Sequence, residues 1–487
     1  MAIKDGLAEI VGKDNVLDSP DIIERYGRDH SLERPGLFTC VVRPRTVAET
    51  QKIIQLANEA KFAVVPQSSG VHFNGSALPK EGGVVLDLSQ MNRIVEIVED
   101  SRVAYLQVGV TWEQFCATLD TKGYIPIIPL LPHASRSVIM DYLEREQPVI
   151  QNHESAEPLL SMQVIWGNGE LFVTGSASVG NFRSGSLADG VCPTGPGCMS
   201  WDTFLYGAQG TIGAVTWGVV EFEQKPTLCR AFFIAGDTLG ELIEPSYSIL
   251  RAGICNECLI INNVNLATIL TEKWPAQFHT LRADLAPWTL IIVQSAPDYR
   301  PEEKMQYQED ALKNIMLSSF RQLDIMDTLP VMLGAEKKIP GMLRSHWPKD
   351  KTYWKHVHKG ACQDITFITT LEQVENYLPI VFLVASKYDY PISNIGGYIQ
   401  PLQDGHACQV QFNFYFDPDD KTEREVIKAI YLDSAAALIE EKAYFNRPYP
   451  LIANIVYRKH GEYAALLKRF KKHFDPNGIL NPGNLCF

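Results

Sequence analysis

Four stretches of the chain concentrate residues that can do chemistry. In 66–79, PQSSGVHFNGSALP, small residues follow a β-branched run, so backbone N–H groups can converge on an anion and form a nest for phosphate oxygens. No Gly-Lys-Ser/Thr follows, so this is not a Walker loop, and it also lacks the GxGxxG of a Rossmann fold. Taken alone, it is equally compatible with an ordinary long turn. In 207–216, GAQGTIGAVT, closely spaced glycines precede a β-branched strand, which lets a flat ligand approach the backbone or simply makes a tight turn. In 406–418, HACQVQFNFYFDP, alternation sets Gln409, Gln411, Asn413 and Tyr415 on one face and Val410, Phe412, Phe414 and Phe416 on the other. Such a strand is usually solvent-out and core-in, yet a row of amides also suits substrate oxygens, with Tyr398, Gln400 and His406 as possible neighbours. In 444–449, YFNRPY, Arg447 stands between aromatics and is stiffened by Pro448. That setting suits a bidentate contact to a carboxylate or phenolate, with Tyr449 and Tyr457 as nearby phenols, and it equally suits a surface ion pair.

The elements that must position these residues follow from periodicity. A short apolar run at 40–42 precedes a helix whose N-cap is Thr46, with Glu49 three residues on, and a second run at 63–65 follows it. This predicts a β-α-β unit with a parallel pair. Further strands are expected at 83–88 and 104–108, with a helix over 110–123 capped by Thr111. Pro126, Pro129 and Pro132 impose an extended path. Gly167-Asn168-Gly169 marks a hairpin between 162–166 and 170–173. Residues 175–201 form a loop, and 202–223 a short helix, a glycine turn and a strand. Beyond about 226 the segments lengthen, with strands at 231–234, 290–294 and 407–416 and helices at 237–252, 302–318 and 421–442. The expected organisation is one domain over 1–225 with 443–487, and a second, α+β domain over 226–442 inserted into it.

Composition narrows the function. Of 487 residues, 46% are hydrophobic and 21% charged, which is a globular rather than a disordered balance. A net charge of −13 provides no basic face for nucleic acid. Ten cysteines are too few for a disulfide framework. The polar N-terminus and the lack of a long apolar stretch predict a cytoplasmic protein without a membrane span.

Taken together with the closing DPNGILNPGN at 475–484, the first two stretches resemble the FAD-binding oxidoreductases of the vanillyl-alcohol oxidase and para-cresol methylhydroxylase type. The first family signature stands here as VVPQSSGVHFNGSALP, followed by VVLDLSQMNRI and VGVT. The second stands almost unaltered at 207–216, and the third at 475–484. The resemblance implies an α+β fold, a PCMH-type FAD-binding domain with an inserted α+β substrate domain, and FAD as cofactor. It places Pro66 at the start of the cradle. The backbone amides of Ser68, Ser69, Gly70 and Val71, with Asn74 nearby, would hold the pyrophosphate. Pro132, Ser135 and Ser137 fall in the next FAD-contacting segment. Gly210, Thr211, Gly213 and Val215 would line the isoalloxazine or adenine, and Asn481 would reach back from the C-terminus. Two departures stand out: Ser68 and Ser69 replace common glycines, and SRSVIMDYLERE replaces a usual Gly-Gly segment. His72 stands one position beyond the site of covalent linkage, which falls on Val71, so the FAD is expected to be non-covalent.

The reaction implied is oxidation of a small organic substrate, a hydroxy acid or a phenolic, by hydride transfer to the flavin. Arg447, Tyr449, Gln409 and Gln411 form the catalytic face. The electrons would pass to an iron–sulfur or other electron-transfer protein within a homo- or hetero-oligomer, because the chain lacks clustered cysteines of its own. Two alternatives are a phenol-oxidising enzyme and a non-catalytic electron-relay subunit. No metal is expected: Cys255-Asn256-Glu257-Cys258 is a lone CxxC, His346, His356 and His358 lack accompanying carboxylates, and the metal-binding histidine patterns of hydroxy-acid-oxidising relatives are absent around His406. Cys192 and Cys198 are read as a reduced loop pair.

Overall fold

The computed structural model describes residues 3–34, 36–150, 153, 157–179, 199–330 and 332–487, and its strands form three sheets. Cys192 and Cys198 and most of the 175–201 loop lie outside the described residues. The first sheet contains β1 (Val16–Leu17), β2 (Cys40–Val42), β3 (Val64–Gln67) and β4 (Val84–Asp87), in the order β1-β2-β4-β3. The β-α-β unit forms, and Thr46 caps the helix Val47–Ala60 by accepting the Glu49 N–H. β2 and β3 are not neighbours, however; β4 lies between them, parallel to both. Val84, Val85 and Leu86 are fully buried, and the central position is the one that covers such a run on both sides.

The second sheet contains β5 (Ile94–Val98), β6 (Val103–Gln107), β7 (Tyr124–Pro126), β8 (Leu159–Trp166), β9 (Leu171–Val173) and β10 (Gly213–Gln224). β8 and β9 form the hairpin about Gly169, whose φ of 87° requires glycine. β10 pairs with β6, β7 and β8, so the glycine-rich turn before it is anchored by the longest strand of the sheet.

The third sheet is antiparallel, in the order β14-β11-β13-β12-β16-β17-β15. It comprises β11 (Leu228–Gly236), β12 (Glu257–Asn262), β13 (Trp288–Ala296), β14 (Ile325–Met326), β15 (Ala361–Thr369), β16 (Gly396–Leu402) and β17 (Ala407–Phe416). One face packs on the helices Gly240–Arg251, Leu371–Lys387 and Lys421–Glu440, burying Val410, Phe412, Phe414 and Phe416. The opposite face is apolar along β11, β12 and β13 and turns polar along β15, β16 and β17. β17 is buried on both faces from Cys408 onward, so its amides are not a solvent face.

After the third sheet the chain returns to the first part. Asn481 N–H donates to Val64 O and Val64 N–H to Ile479 O, which adds residues 479–481 to the edge of β3. Lys471, on the helix Gly461–Phe474, is buried and donates to the carbonyls of Thr211 and Leu480 and to Asp475. Asp475 in turn accepts the N–H groups of Ile479 and Leu480 at 3.0 and 2.8 Å. One ammonium thus ties the C-terminal turn to the turn that precedes β10.

Candidate active site

The loop after β3 and the turn before β10 meet across one cleft. Pro66, Ser68 and His72 line it on one side, Gly210, Gly213 and Val215 on the other, and Met140 and Glu144 close it. Two bonds hold the loop and a third ties it to the turn. Gln67 Nε2 donates to Ala77 O at 2.8 Å, and Asn481 Nδ2 donates both to Ser76 O at 2.8 Å and to Gln209 O at 2.6 Å. Gly210 has φ of 69°, and a Cβ there would approach the Pro66 ring at 3.3 Å. Three buried polar atoms around the cleft, His72 Nε2, Gln209 Oε1 and Asn481 Oδ1, have no protein partner. A buried group left unmatched costs about 1–3 kcal/mol, so their grouping at one cleft suits a polar ligand. Burial, with the nearby Arg136 charge, pushes the His72 pKa down to about 4, so its ring is neutral at pH 7.

Other residues from the resemblance are placed differently. Ser137 is fully buried, donates to Val108 O and accepts the Met140 N–H, so its hydroxyl caps the helix Val138–Leu143. The Thr211 hydroxyl donates to Ala208 O at 2.7 Å while its carbonyl accepts from Lys471. Thr211 therefore faces the C-terminal helices and not the cleft. Ser135 donates its N–H to His133 Nδ1 at 3.1 Å. Ser69 is buried and its hydroxyl lies 3.5 Å from Val71 O, while Gly70 is exposed.

Asn74 and Pro132 line a second cavity, where the loop faces the polar end of the third sheet. Gln409 and Gln411 on β17 and Tyr398 on β16 line its far wall. Asp364, on β15, accepts from Asn413 and pairs with Lys355. Tyr353 stacks on Phe73 with ring centroids 5.3 Å apart, and the Arg136 guanidinium lies over the Phe73 ring, 5.1 Å from its centroid. An adjoining cavity holds Arg447, Tyr449 and Thr366 and shares Asn74, Glu146, Asp364 and Gln411 with the second.

Arg447 does not present a free fork. Its Nη1 pairs with Glu146 Oε1 at 2.8 Å, its Nη2 donates to Gln409 Oε1 at 3.3 Å, and Nε has no partner. A guanidinium that is only 5% exposed needs its counter-charge within the folded chain, and Glu146 supplies it. Tyr449 donates to Glu144 Oε2 at 3.4 Å. Tyr457 faces the apolar cavity among the C-terminal helices, and His406 lies in a separate surface pocket beside Arg251, so neither borders this site. Gln400 is buried and donates to Val149 O, which joins β16 to the first part of the chain. Of the discounted histidines, His356 packs on His30 at 4.4 Å and His358 stacks on Tyr415 at 4.1 Å.

The segment SRSVIMDYLERE supplies what sequence reasoning missed. Arg136 Nε donates to Asp141 Oδ1 at 2.6 Å and its Nη2 to Glu144 Oε2 at 3.2 Å, and Trp112 Nε1 donates to Asp141 Oδ2 at 2.6 Å. Asp141 and Glu144, three apart on a short helix with Arg136 just before it, formed the available signal. Lys355 and Asp364 carried none, because a loop and a strand bring them together.

Comparison with known proteins agrees with this arrangement. The family described as FAD binding domain matches residues 38–137, and FAD linked oxidases, C-terminal domain, matches 453–485. A glycolate oxidase subunit of Bacillus subtilis is 22% identical over 498 residues, covering 99% of this chain and 96% of the relative. The 4-cresol dehydrogenase flavoprotein subunit of Pseudomonas putida is 24% identical over 56% of this chain and 51% of its own. Among solved structures, p-cresol methylhydroxylase with substrate bound superposes with a TM-score of 0.81 at 18% identity, covering 100% of this chain and 96% of that one. The chain has the α+β fold of p-cresol methylhydroxylase, and its FAD-binding and FAD-linked-oxidase C-terminal regions support a PCMH-type FAD-binding oxidoreductase. It is an enzyme and FAD is its cofactor.

Gly210→Val tests the cleft. A β-branched residue in the left-handed region costs about 1–3 kcal/mol and would press on Pro66. The expected result is folded protein with most of its flavin absorption lost. Full flavin occupancy would remove the 207–213 turn from the cofactor site.

Proposed function

We propose that this flavoenzyme is a dehydrogenase that oxidises a small organic substrate between the third sheet and the 66–77 loop and passes the electrons to a separate protein. The observation that carries this reading is the pair of buried amides, Gln409 and Gln411, beside the half-buried Asp364, lining a cavity that Asn74 of the loop also lines. Bound FAD supplies the two-electron acceptor that no side chain provides. The chain's own residues bind and orient. The amides of Gln409 and Gln411 engage substrate oxygens, and Glu146 offers a carboxylate acceptor to a substrate hydroxyl. Phe73, Tyr353 and Trp354 form an apolar wall that excludes water. A separate acceptor is supported by two relatives, the glycolate oxidase and 4-cresol dehydrogenase chains, both of which are named as subunits.

The FAD is held without a covalent link, since Val71 occupies the position at which linked relatives carry histidine. Acid precipitation should leave the yellow colour in the supernatant. Colour retained in the pellet would instead assign a link, with His72 in the cleft as its site.

Anaerobic addition of hydroxy acids, aryl alcohols and para-alkyl phenols tests the reaction. Bleaching of the flavin absorption by at least one class, with slow reoxidation in air and fast reoxidation by an artificial one-electron acceptor, is expected. Bleaching followed by rapid reaction with air would favour an oxidase. No bleaching by any class would favour the electron-relay alternative.

A further inference from the structure

The two cavities at the polar end of the third sheet share a charge balance with a consequence for the substrate. Among the described residues that line them, three are cationic, Arg136, Lys355 and Arg447, and three are carboxylates, Asp141, Glu146 and Asp364. They are matched one to one: Arg136 with Asp141, Lys355 with Asp364, and Arg447 with Glu146. Arg136 has a second carboxylate in Glu144. The site therefore offers no unmatched positive charge. An anionic substrate would leave water without finding a free cation to replace its hydration, since each cation is already held by a carboxylate, whereas an uncharged one would not incur that cost.

The three acids are not equivalent. Asp141 is fully enclosed, with its oxygens taken by Arg136 and Trp112. Asp364 is occupied by Lys355, Asn413 and Cys362. Glu146 keeps 28% of its side chain exposed, lines both cavities, and is the ion partner of Arg447, which is itself 4% exposed. Burial works to raise the Glu146 pKa, and the charges of Arg447, Arg136 and Lys355 overcome that and hold it below the usual carboxylate range, so it remains ionised at neutral pH.

We infer that Glu146 determines specificity by substrate charge: its pairing with Arg447 makes the site accept an uncharged, hydroxyl-bearing molecule and reject the carboxylate counterpart. The inference rests on the reading of these cavities as the substrate site. Without Glu146, Arg447 would become an unmatched guanidinium, and the preference would invert.

The test uses flavin-loaded protein titrated at neutral pH with benzamide and benzoate, a pair alike in shape and different in charge. Binding is read from the perturbation of the flavin absorption. In the wild type benzamide should bind about tenfold or more tightly than benzoate. In Glu146→Gln benzoate should gain about tenfold or more while benzamide changes little, and Arg447→Met added to it should abolish the gain. Flavin content and melting temperature report the folding of the variants, and the wild-type ratio decides the matter if Glu146→Gln does not fold. Benzoate binding as tightly as benzamide in the wild type, or an unchanged ratio in Glu146→Gln, would overturn the inference and leave the substrate site standing. If neither probe perturbs the flavin, the substrate-site reading fails and takes the inference with it.

Discussion

Lys471 sits where the parts of the flavin cradle converge. Its ammonium is buried, and burial lowers its pKa against the pull of Asp475. An ammonium in that position is sustained only by its three acceptors, Thr211 O, Leu480 O and Asp475. Through Leu480 it holds the C-terminal turn against β3, and through Thr211 it holds the turn that precedes β10. Asn481 is thereby set between Ser76 O and Gln209 O, spanning the cleft that the two glycine-rich segments enclose. Segments more than 250 residues apart in sequence thus behave as one rigid cradle, and the Gly210 turn keeps its left-handed geometry because both flanks are fixed.

The same rule, that a charge taken from water must be paired, organises the junction with the third sheet. Arg344 and Glu257 form a buried bidentate pair at the start of β12, where Ile150 also bridges to Glu257. Trp347 N–H donates to Pro132 O, and Gln400 donates to Val149 O. These contacts fix the loop containing Tyr353 and Lys355 over Phe73, and so fix the polar ends of β15 and β17 opposite Asn74. At its β15–β17 end the sheet packs its hydrophobic residues on the helices Leu371–Lys387 and Lys421–Glu440, which leaves the other face there free to carry amides and carboxylates without loss of core. Stability and chemistry are separated by face and by end of one sheet.

Much of this was legible in the sequence. The 407–416 strand has the bounds that alternation predicts, Thr46 and Thr111 cap the helices that they precede, and the glycine segments line one cleft. Local signals failed where partners are distant in sequence. The central place of β4 depends on competition among three apolar runs, which periodicity does not rank. β12 holds a short apolar run that reads equally well as helix or strand, and β15 and β16 mix polar and apolar residues without a sustained period. Arg447 was visible as an arginine between aromatics, suited to an anion clamp or to a surface ion pair, but its partner Glu146 lies about 300 residues earlier, in a segment that departs from the family pattern. Local sequence therefore left a free anion clamp and a surface ion pair open, where the fold supplies a buried ion pair.

The central claim is that the cradle and the polar end of the third sheet enclose one continuous flavin and substrate site. A crystal structure of the flavin-loaded protein tests it most directly. The account predicts phosphates against the 68–71 backbone, the dinucleotide passing between Pro66 and the 210–215 segment, and the flavin ring beside Asn74 facing Gln409 and Gln411. A flavin ring placed away from β17, or a dinucleotide that makes no contact with Gly210 and Gly213, would contradict it.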